Sequence, residues 1–277
     1  MASSQRVEPM AIPFRLVDAF TGTAFSGNPA PVFVLRDPRD AAWYQAVAVE
    51  MNASNTAFLI APPMDGDGSW GLRWFTPKVE VHLCGHGTLA AAHVLWEDEY
   101  ESKGTPIRFR TLAGELTAFR RPGGAAELDF PAEPLDVLEP PAGLVIAIGG
   151  QVTWLGRGHT FVVAELGSEQ AVRSLVPDLE WLKENLPDPL VVTARSDDSA
   201  FDVVSRVFAP AIGIPEDAAT GSAHCAIGPY WGSILRLDEL RVHQLSERGG
   251  ELTVRMLGDR VRVGGKAITM IRGDLMD

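Results

Sequence analysis

Phe75-Thr76-Pro77-Lys78-Val79-Glu80-Val81-His82-Leu83-Cys84-Gly85-His86-Gly87-Thr88 runs straight into Leu89-Ala90-Ala91-Ala92-His93-Val94-Leu95-Trp96. The pattern reads as a strand end, a tight polar turn and an apolar helix that starts at the glycines. Such a turn aims free backbone N–H groups and the positive end of the helix dipole at one point. That geometry attracts a carboxylate or a phosphate. Far along the chain, Phe208-Ala209-Pro210 leads after a short insertion into Asp217-Ala218-Ala219-Thr220-Gly221-Ser222-Ala223-His224-Cys225-Ala226-Ile227-Gly228-Pro229-Tyr230-Trp231. Both stretches begin with Phe-x-Pro, turn through a helix start of small residues and reach a Trp after one short apolar helix. Two copies of one unit imply two similar halves.

Working outward, 277 residues suit two domains of ordinary size. A hydrophobic content of 46% with 22% charged residues is that of a globular protein. The net charge of −12 argues against nucleic acid, which needs clustered Lys and Arg. The first ten residues lack the apolar core of a secretory signal, and no apolar run approaches a membrane span. The two cysteines, Cys84 and Cys225, both lie inside the motifs, so a reducing, cytoplasmic setting is expected rather than a disulfide framework.

Alternation and turn residues predict strands over 14–20, 32–35, 56–60, 70–75, 106–111, 115–120 and 126–130. A second series falls at 151–155, 160–165, 190–194, 201–208, 252–256, 260–263 and 267–272, with a helical region over 168–185. Asp37, followed by Pro38, reads as the cap of a helix running to about Asn52, with an apolar face of Trp43, Val47 and Met51. Many short strands with one main helix per half fit an α+β class, not a doubly wound parallel sheet.

The ionisable candidates near turns are Glu50, His82, His86, Asp217 and His224. Glu50 stands at the edge of the apolar stripe of its helix. It reads either as a solvated helix-end residue, which spacing alone favours, or as a partly desolvated acid–base group. His86, between two glycines, reads as an exposed ring, either functional or a cap. Asp217 reads equally as a helix cap or a site residue. Gly85, Gly87, Thr220, Gly221 and Ser222 supply backbone donors and hydroxyls suited to a substrate carboxylate. His82-x-Cys84-x-His86 could gather two or three metal ligands, but no fourth is apparent, so no metal is expected. His93 falls on an apolar helix and reads as core or surface. No nucleotide-binding glycine motif or serine-hydrolase elbow appears. A thiol at a helix start can act as base or nucleophile. Registering the two copies on their closing Trp residues sets Cys84 opposite Ala219 and Cys225 opposite Ala90, which disfavours a symmetric two-cysteine mechanism.

Several motifs in order resemble the PhzF-like isomerase family, related in fold to diaminopimelate epimerase. They are Val17-Asp18-Ala19-Phe20 with Gly27-Asn28-Pro29, Glu50-Met51-Asn52 with Thr56-Ala57-Phe58, Phe75-Thr76-Pro77 with Cys84-Gly85-His86-Gly87-Thr88, and the run from Asp217 to Ala223. The resemblance implies two pseudo-symmetric diaminopimelate epimerase-like domains, each a β-barrel-like sheet around a central helix. Residues 1–120 would form the first half, 121–263 the second, and 264–277 would return to the first. It also implies Glu50 as general acid/base in the cleft, with His86 and Asp217 stabilising charge and Gly85, Gly87, Thr220, Gly221 and Ser222 binding substrate. The sequence departs from many relatives at Asn55, where they carry Glu after the Ser, which bears on substrate more than on mechanism. The expected activity is cofactor-independent isomerisation of a small carboxylic acid, cyclic or conjugated, by a homodimer. The alternatives are a non-catalytic acid-binding or interaction protein on the same scaffold and a cysteine-based epimerase using Cys84.

Overall fold

The computed structural model describes residues 11–64 and 66–276. The first ten residues, read above as carrying no secretory signal, lie outside the described residues. The strands and helices through the first meander, called the first half below, are β1 Ala11–Ala19, β2 Asn28–Leu35, α1 Ala41–Met51, β3 Thr56–Ile60, β4 Trp70–Phe75, β5 Glu80–Val81, α2 Gly85–Glu97, β6 Ile107–Thr111, β7 Gly114–Arg120 and β8 Ala126–Pro131. The boundary expected at residue 120 falls between β7 and β8, which pair with each other. The short strand β9 Asp136–Val137 and helix α3 Leu144–Ile148 lead into β10 Val152–Arg157, β11 Val162–Leu166, α4 Glu169–Ser174, α5 Leu179–Asn185, β12 Leu190–Arg195 and β13 Val203–Ala209. A 3-10 turn, Pro210–Ile212, precedes β14 Ile214–Asp217, α6 His224–Leu235, β15 Glu239–Gln244, β16 Gly250–Leu257, β17 Arg260–Gly265 and β18 Ala267–Met276.

The pairing order repeats. In the first half β1–β2 is antiparallel, β2–β3 parallel, β3–β4 antiparallel, β4–β6 parallel, and β6, β7 and β8 follow as an antiparallel meander. In the second half β10–β11 is antiparallel, β11–β12 parallel, β12–β13 antiparallel, β13–β15 parallel, and β15, β16 and β17 form the meander. The likeness of the two motifs is thus one corner of a duplicated sheet topology. The halves also exchange strands. β9 pairs with β10, β18 pairs with β1 from Ala11↔Met276 to Ala19↔Ala267, and β8 joins β17 edge to edge.

Each sheet wraps one apolar helix. α2 packs on β1, β2, β3, β8 and β18, while α6 packs on β15, β16 and β17. Within α2 only His93 and Glu97 are not buried. A helix apolar on every side belongs at the centre of a fold, and the run Ala90-Ala91-Ala92 lets the strands close in on it. Trp231 is buried at the heart of the second half and donates its indole N–H to Thr193 Oγ1 at 2.9 Å, which meets the need of a buried donor. On the outer face of the first half, α1 lays Tyr44 against Phe58 and Phe75, with ring centroids 4.8 and 5.4 Å apart. Fully burying side chains of this size contributes about 1.5–3 kcal/mol each.

Three local expectations change. Helix α1 is capped by Asp40, not Asp37: Asp40 accepts a hydrogen bond from Trp43 N at 2.7 Å, and the helix starts one residue later. The helical region over 168–185 is two short helices, separated at Pro177, whose ring removes a backbone donor. Strand β15 went unpredicted, although Glu-Leu-Arg-Val-His-Gln buries every second residue. Among the described residues no helix is long and apolar enough to cross a membrane. Replacing Asp40 with Ala is expected to cost about 1 kcal/mol, whereas Asp37→Ala should change stability by less than about 0.5 kcal/mol. Urea unfolding of the two variants checks the assignment, and equal losses would refute it.

Candidate active site between two helix starts

The N-termini of α2 and α6 meet head to head. A Cβ on Gly85 would stand 3.1 Å from Gly221 Cα and 3.3 Å from Ser222 N, and one on Gly221 would stand 3.0 Å from the Phe20 ring. The backbones approach this closely because neither residue has a side chain. The first N–H groups of α2 have no partner within their own helix, and they face the turn that opens α6.

Beside this contact lies a pocket of about 190 Å³. Val81, Leu83, Phe161, Val207 and Ile214 give it apolar walls, and Asn55, Cys84, His86, Asp217, Thr220 and Ser222 its polar side. The structure therefore gathers Gly85, His86, Asp217, Thr220, Gly221 and Ser222 around one space. Gly87 sits just behind: a Cβ there would lie 2.9 Å from the Trp74 ring, so its role is close packing.

Glu50 is not part of this group. The buried face of α1 is Tyr44, Val47 and Ala48, which turns Glu50 to solvent, exposed and outside the pocket lining. Its position gives no support to the acid–base role expected for it in the cleft. The residue that reaches the pocket from this segment is Asn55, five positions on.

His86, expected to be an exposed ring, is 4% exposed. Flanking glycines let neighbouring backbone close over it, and Asn28 and Ser54 cover its nitrogens. Asn28 Nδ2 lies 3.2 Å from His86 Nδ1, and Ser54 Oγ lies 3.3 Å from His86 Nε2. Ser54 Oγ in turn donates to Asn28 Oδ1 at 3.2 Å. The two Asn28 N–H groups have nearer acceptors in Asp217 Oδ1 at 2.7 Å and Ala219 O at 2.9 Å, so the tautomer is set by Ser54. With its hydroxyl proton given to Asn28 Oδ1, its oxygen accepts from the ring, which places the proton of the neutral imidazole on Nε2. Burial lowers the His86 pKa, opposed by the nearby Asp217 carboxylate, so the imidazole is neutral at neutral pH.

Asp217 ends β14 and does not cap α6, whose cap position is Ala223. Its Oδ1 accepts from Asn28 Nδ2 at 2.7 Å and its Oδ2 from Thr220 Oγ1 at 2.5 Å. Asn28 thereby bridges the His86 and Asp217 side chains across the two halves. The loop before Asn28 is fixed from the second half: Gly27 N donates to Gly249 O at 2.8 Å, and Arg248 pairs with buried Asp18 at 2.8 Å. Gly27 has φ +70°, and a Cβ there would meet Ala19 O at 2.2 Å. Burial outweighs Arg248 and raises the Asp18 pKa.

Behind the pocket, Gln244 accepts from Thr220 N at 2.8 Å and donates to Asp217 O at 2.7 Å. His224 is fully buried and contacts Thr220 O through Nδ1 at 2.7 Å, so it positions the turn and does not face the pocket. Burial lowers its pKa to about 4. Cys84 caps α2, its sulfur accepting from Gly87 N at 3.4 Å. Burial pushes its thiol up to about 12, so it keeps its proton at neutral pH. Cys225 is buried outside the pocket and its pKa is likewise raised by burial. His82 is exposed while Cys84 and His86 are buried, so the three do not converge. Among the described residues no three His, Cys, Asp or Glu side chains are grouped to hold a metal ion. Asn28, Ser54 and Gln244 were not singled out as site residues, and only the rigid Gly-Asn-Pro loop carried a signal for one of them.

A model of the family described as phenazine biosynthesis-like protein matches residues 17–273. The chain is 46% identical over 268 residues to a Halalkalibacterium halodurans protein named an uncharacterized isomerase, covering 96% of this chain and 99% of that one. The chain belongs to the PhzF-like isomerase family. A crystal structure of a PhzF family protein from Enterococcus faecalis superposes with a TM-score of 0.89 at 36% identity, covering 96% of this chain and 99% of that chain. A hydroxyproline epimerase from Agrobacterium vitis, 13% identical with a TM-score of 0.64 and coverage of 96% and 93%, shares the fold alone. The PhzF-like architecture of two pseudo-symmetric, diaminopimelate epimerase-like halves is the one described above.

Gly85→Ala is expected to cost about 1–3 kcal/mol by overpacking the contact with Gly221, measured by urea unfolding; an unchanged midpoint would refute the close approach. His224 supplies a pH prediction. Its pKa of about 4 lies below the ordinary 6.5, so the unfolded chain takes up the proton first as pH falls. The resulting loss of stability begins near pH 6.5 and is complete near pH 4, reaching about 3 kcal/mol. Between pH 7.5 and 4, wild type should lose about that much more stability than His224→Gln, and identical losses would refute the assignment.

Proposed function

We propose that the chain is a cofactor-independent isomerase that moves a proton within a small carboxylic acid bound between the two helix starts. The observation that carries this reading is that Asp217 is the one carboxylate among the described pocket-lining residues and stands beside a buried neutral imidazole. The substrate carboxylate is held by backbone N–H groups at Gly85 and at Gly221–Ser222, aided by the helix dipoles. Asp217 takes the proton from an activated carbon, and the electron pair of the broken C–H bond spreads into the conjugated acid. His86, neutral and fixed in tautomer, stabilises the charge that develops. The same proton is then returned to another carbon of the molecule. One acid–base unit serving two carbons requires no nucleotide and no external oxidant or reductant.

A cysteine base fits less well, since the Cys84 thiol holds its proton up to about pH 12. The two halves also offer no matching pair of bases across the pocket. The test is proton exchange in D₂O with a panel of small cyclic and amino carboxylic acids, read by NMR. Asp217→Asn and His86→Gln are expected to lower exchange by about 10²–10⁴-fold, whereas Glu50→Gln and Cys84→Ser should stay near wild type. Full activity of Asp217→Asn, or loss of activity in Glu50→Gln with the fold intact, would overturn the assignment.

A further inference from the structure

A second cavity lies at the far end of α2 from the pocket between the helix starts. It holds about 190 Å³ and is lined by His93, Trp96, Glu97, Lys103, Arg120 and Gly124. The 13 residues of α2 set the two spaces about 20 Å apart, at about 1.5 Å of rise per residue. Registered on the closing Trp residues, His93 and Glu97 correspond to Gly228 and Gly232 of α6. There Met256 fills the space: Cβ atoms built on those two glycines would lie 3.7 and 3.5 Å from its sulfur. The duplicated fold thus closes this end with a methionine in one half and keeps it open and polar in the other.

The charges around the cavity do not cancel within the chain. Glu97 is the one carboxylate among the described lining residues; it pairs with Arg272 at 2.8 Å and accepts from Thr269 Oγ1 at 2.6 Å. Asp98, next along, is held by Arg15 and Arg272, each at 2.8 Å. Having given its proton to Glu97, Thr269 Oγ1 accepts from His93 Nε2 at 3.1 Å, which engages that ring N–H. Arg120 and Lys103 are left over. Among the described residues neither side chain has a hydrogen bond or an ion pair.

Arg120 ends β7 and is half-buried, its guanidinium carbon 5.9 Å from the centre of the Trp96 ring, a flat surface that orients it. Of its three nitrogens only Nη1 is shut away, so Nε and Nη2 form the open edge. Gly124 passes Nη2, 3.7 Å from where its Cβ would stand, without a side chain to cover it. That edge is the fork that takes two oxygens of a carboxylate or phosphate side by side. A partly desolvated guanidinium with no acceptor is unfavourable until one is supplied. We propose that this cavity binds a doubly charged oxyanion, its oxygens taken side-on by Arg120 and its remaining charge met by Lys103. The ligand class is a phosphate or a dicarboxylate, which share this chemistry. The site is separate from the pocket between the helix starts and does not depend on the function proposed for that pocket.

The test is isothermal titration of wild type, Arg120→Gln and Lys103→Ala with inorganic phosphate and with malonate, at matched low ionic strength. Thermal melting verifies that each variant is folded. Lys103 is exposed, so its replacement carries the comparison if Arg120→Gln is unstable. The NMR signal of the Arg120 Nε–H, identified by its loss in Arg120→Gln, reports where the anion sits. The expected result is that one of the two anions binds wild type with a Kd of about 1 mM or tighter and shifts this signal. Each variant should bind that anion about tenfold more weakly, and the preferred anion separates a phosphoryl ligand from a dicarboxylate. Equal binding by wild type and both variants places the anion elsewhere, the pocket between the helix starts included, and overturns the site. Failure of both anions to bind folded wild type also overturns it, and leaves Arg120 and Lys103 as counter-charges to the negative end of α2.

Discussion

The structure depends on two helices meeting positive end to positive end with no side chain between them. Gly85 and Gly221 permit the contact, and the pocket is arranged around it. Like dipole ends repel, and a negative charge at their junction relieves the repulsion. Asp217 supplies one such charge from the chain itself, and an anionic ligand supplies another. In a chain of net charge −12, a positive potential at this point belongs to backbone dipoles and not to surface lysines.

Duplication built the framework, but the two halves fill the pocket differently. The first contributes Asn55, Cys84 and His86, and the second Asp217, Thr220 and Ser222. Asn28 of the first half reaches both His86 and Asp217, so the polar network exists only when the halves are docked. A near-symmetric scaffold therefore carries an asymmetric set of polar groups.

Much of this was legible in the sequence. Phe-x-Pro followed by a small-residue helix start located both central helices, because glycine and proline report backbone needs that hold wherever the chain folds. Asp217, Gly85 and Gly221 line the space between the two helix starts, whereas Gly87 packs behind it on Trp74. For Glu50 the spacing favoured a solvated helix end, and its side chain is exposed; only the family resemblance put it in the cleft, and the buried stripe of α1 runs through Tyr44, Val47 and Ala48. His86 looked exposed because its neighbours in sequence are glycines, while the groups that cover it, Asn28 and Ser54, lie far away along the chain. Asn55 stood out only as a departure from relatives, and its place on the pocket wall is visible only in three dimensions.

The exchange of strands bears on how the chain assembles. β1 is among the first segments made and β18 among the last, yet Ala11 through Ala19 pair with the final strand along their whole length. Contacts between residues so far apart form late, because a long loop must close before they yield any stabilisation. The first half, though synthesised first, cannot complete its own barrel until the second half has been made. On the ribosome it would wait with one edge of β1 open, and an open edge is a place where other strands can add. The strand that seals the fold is also the one whose delay leaves the growing chain most prone to misassembly.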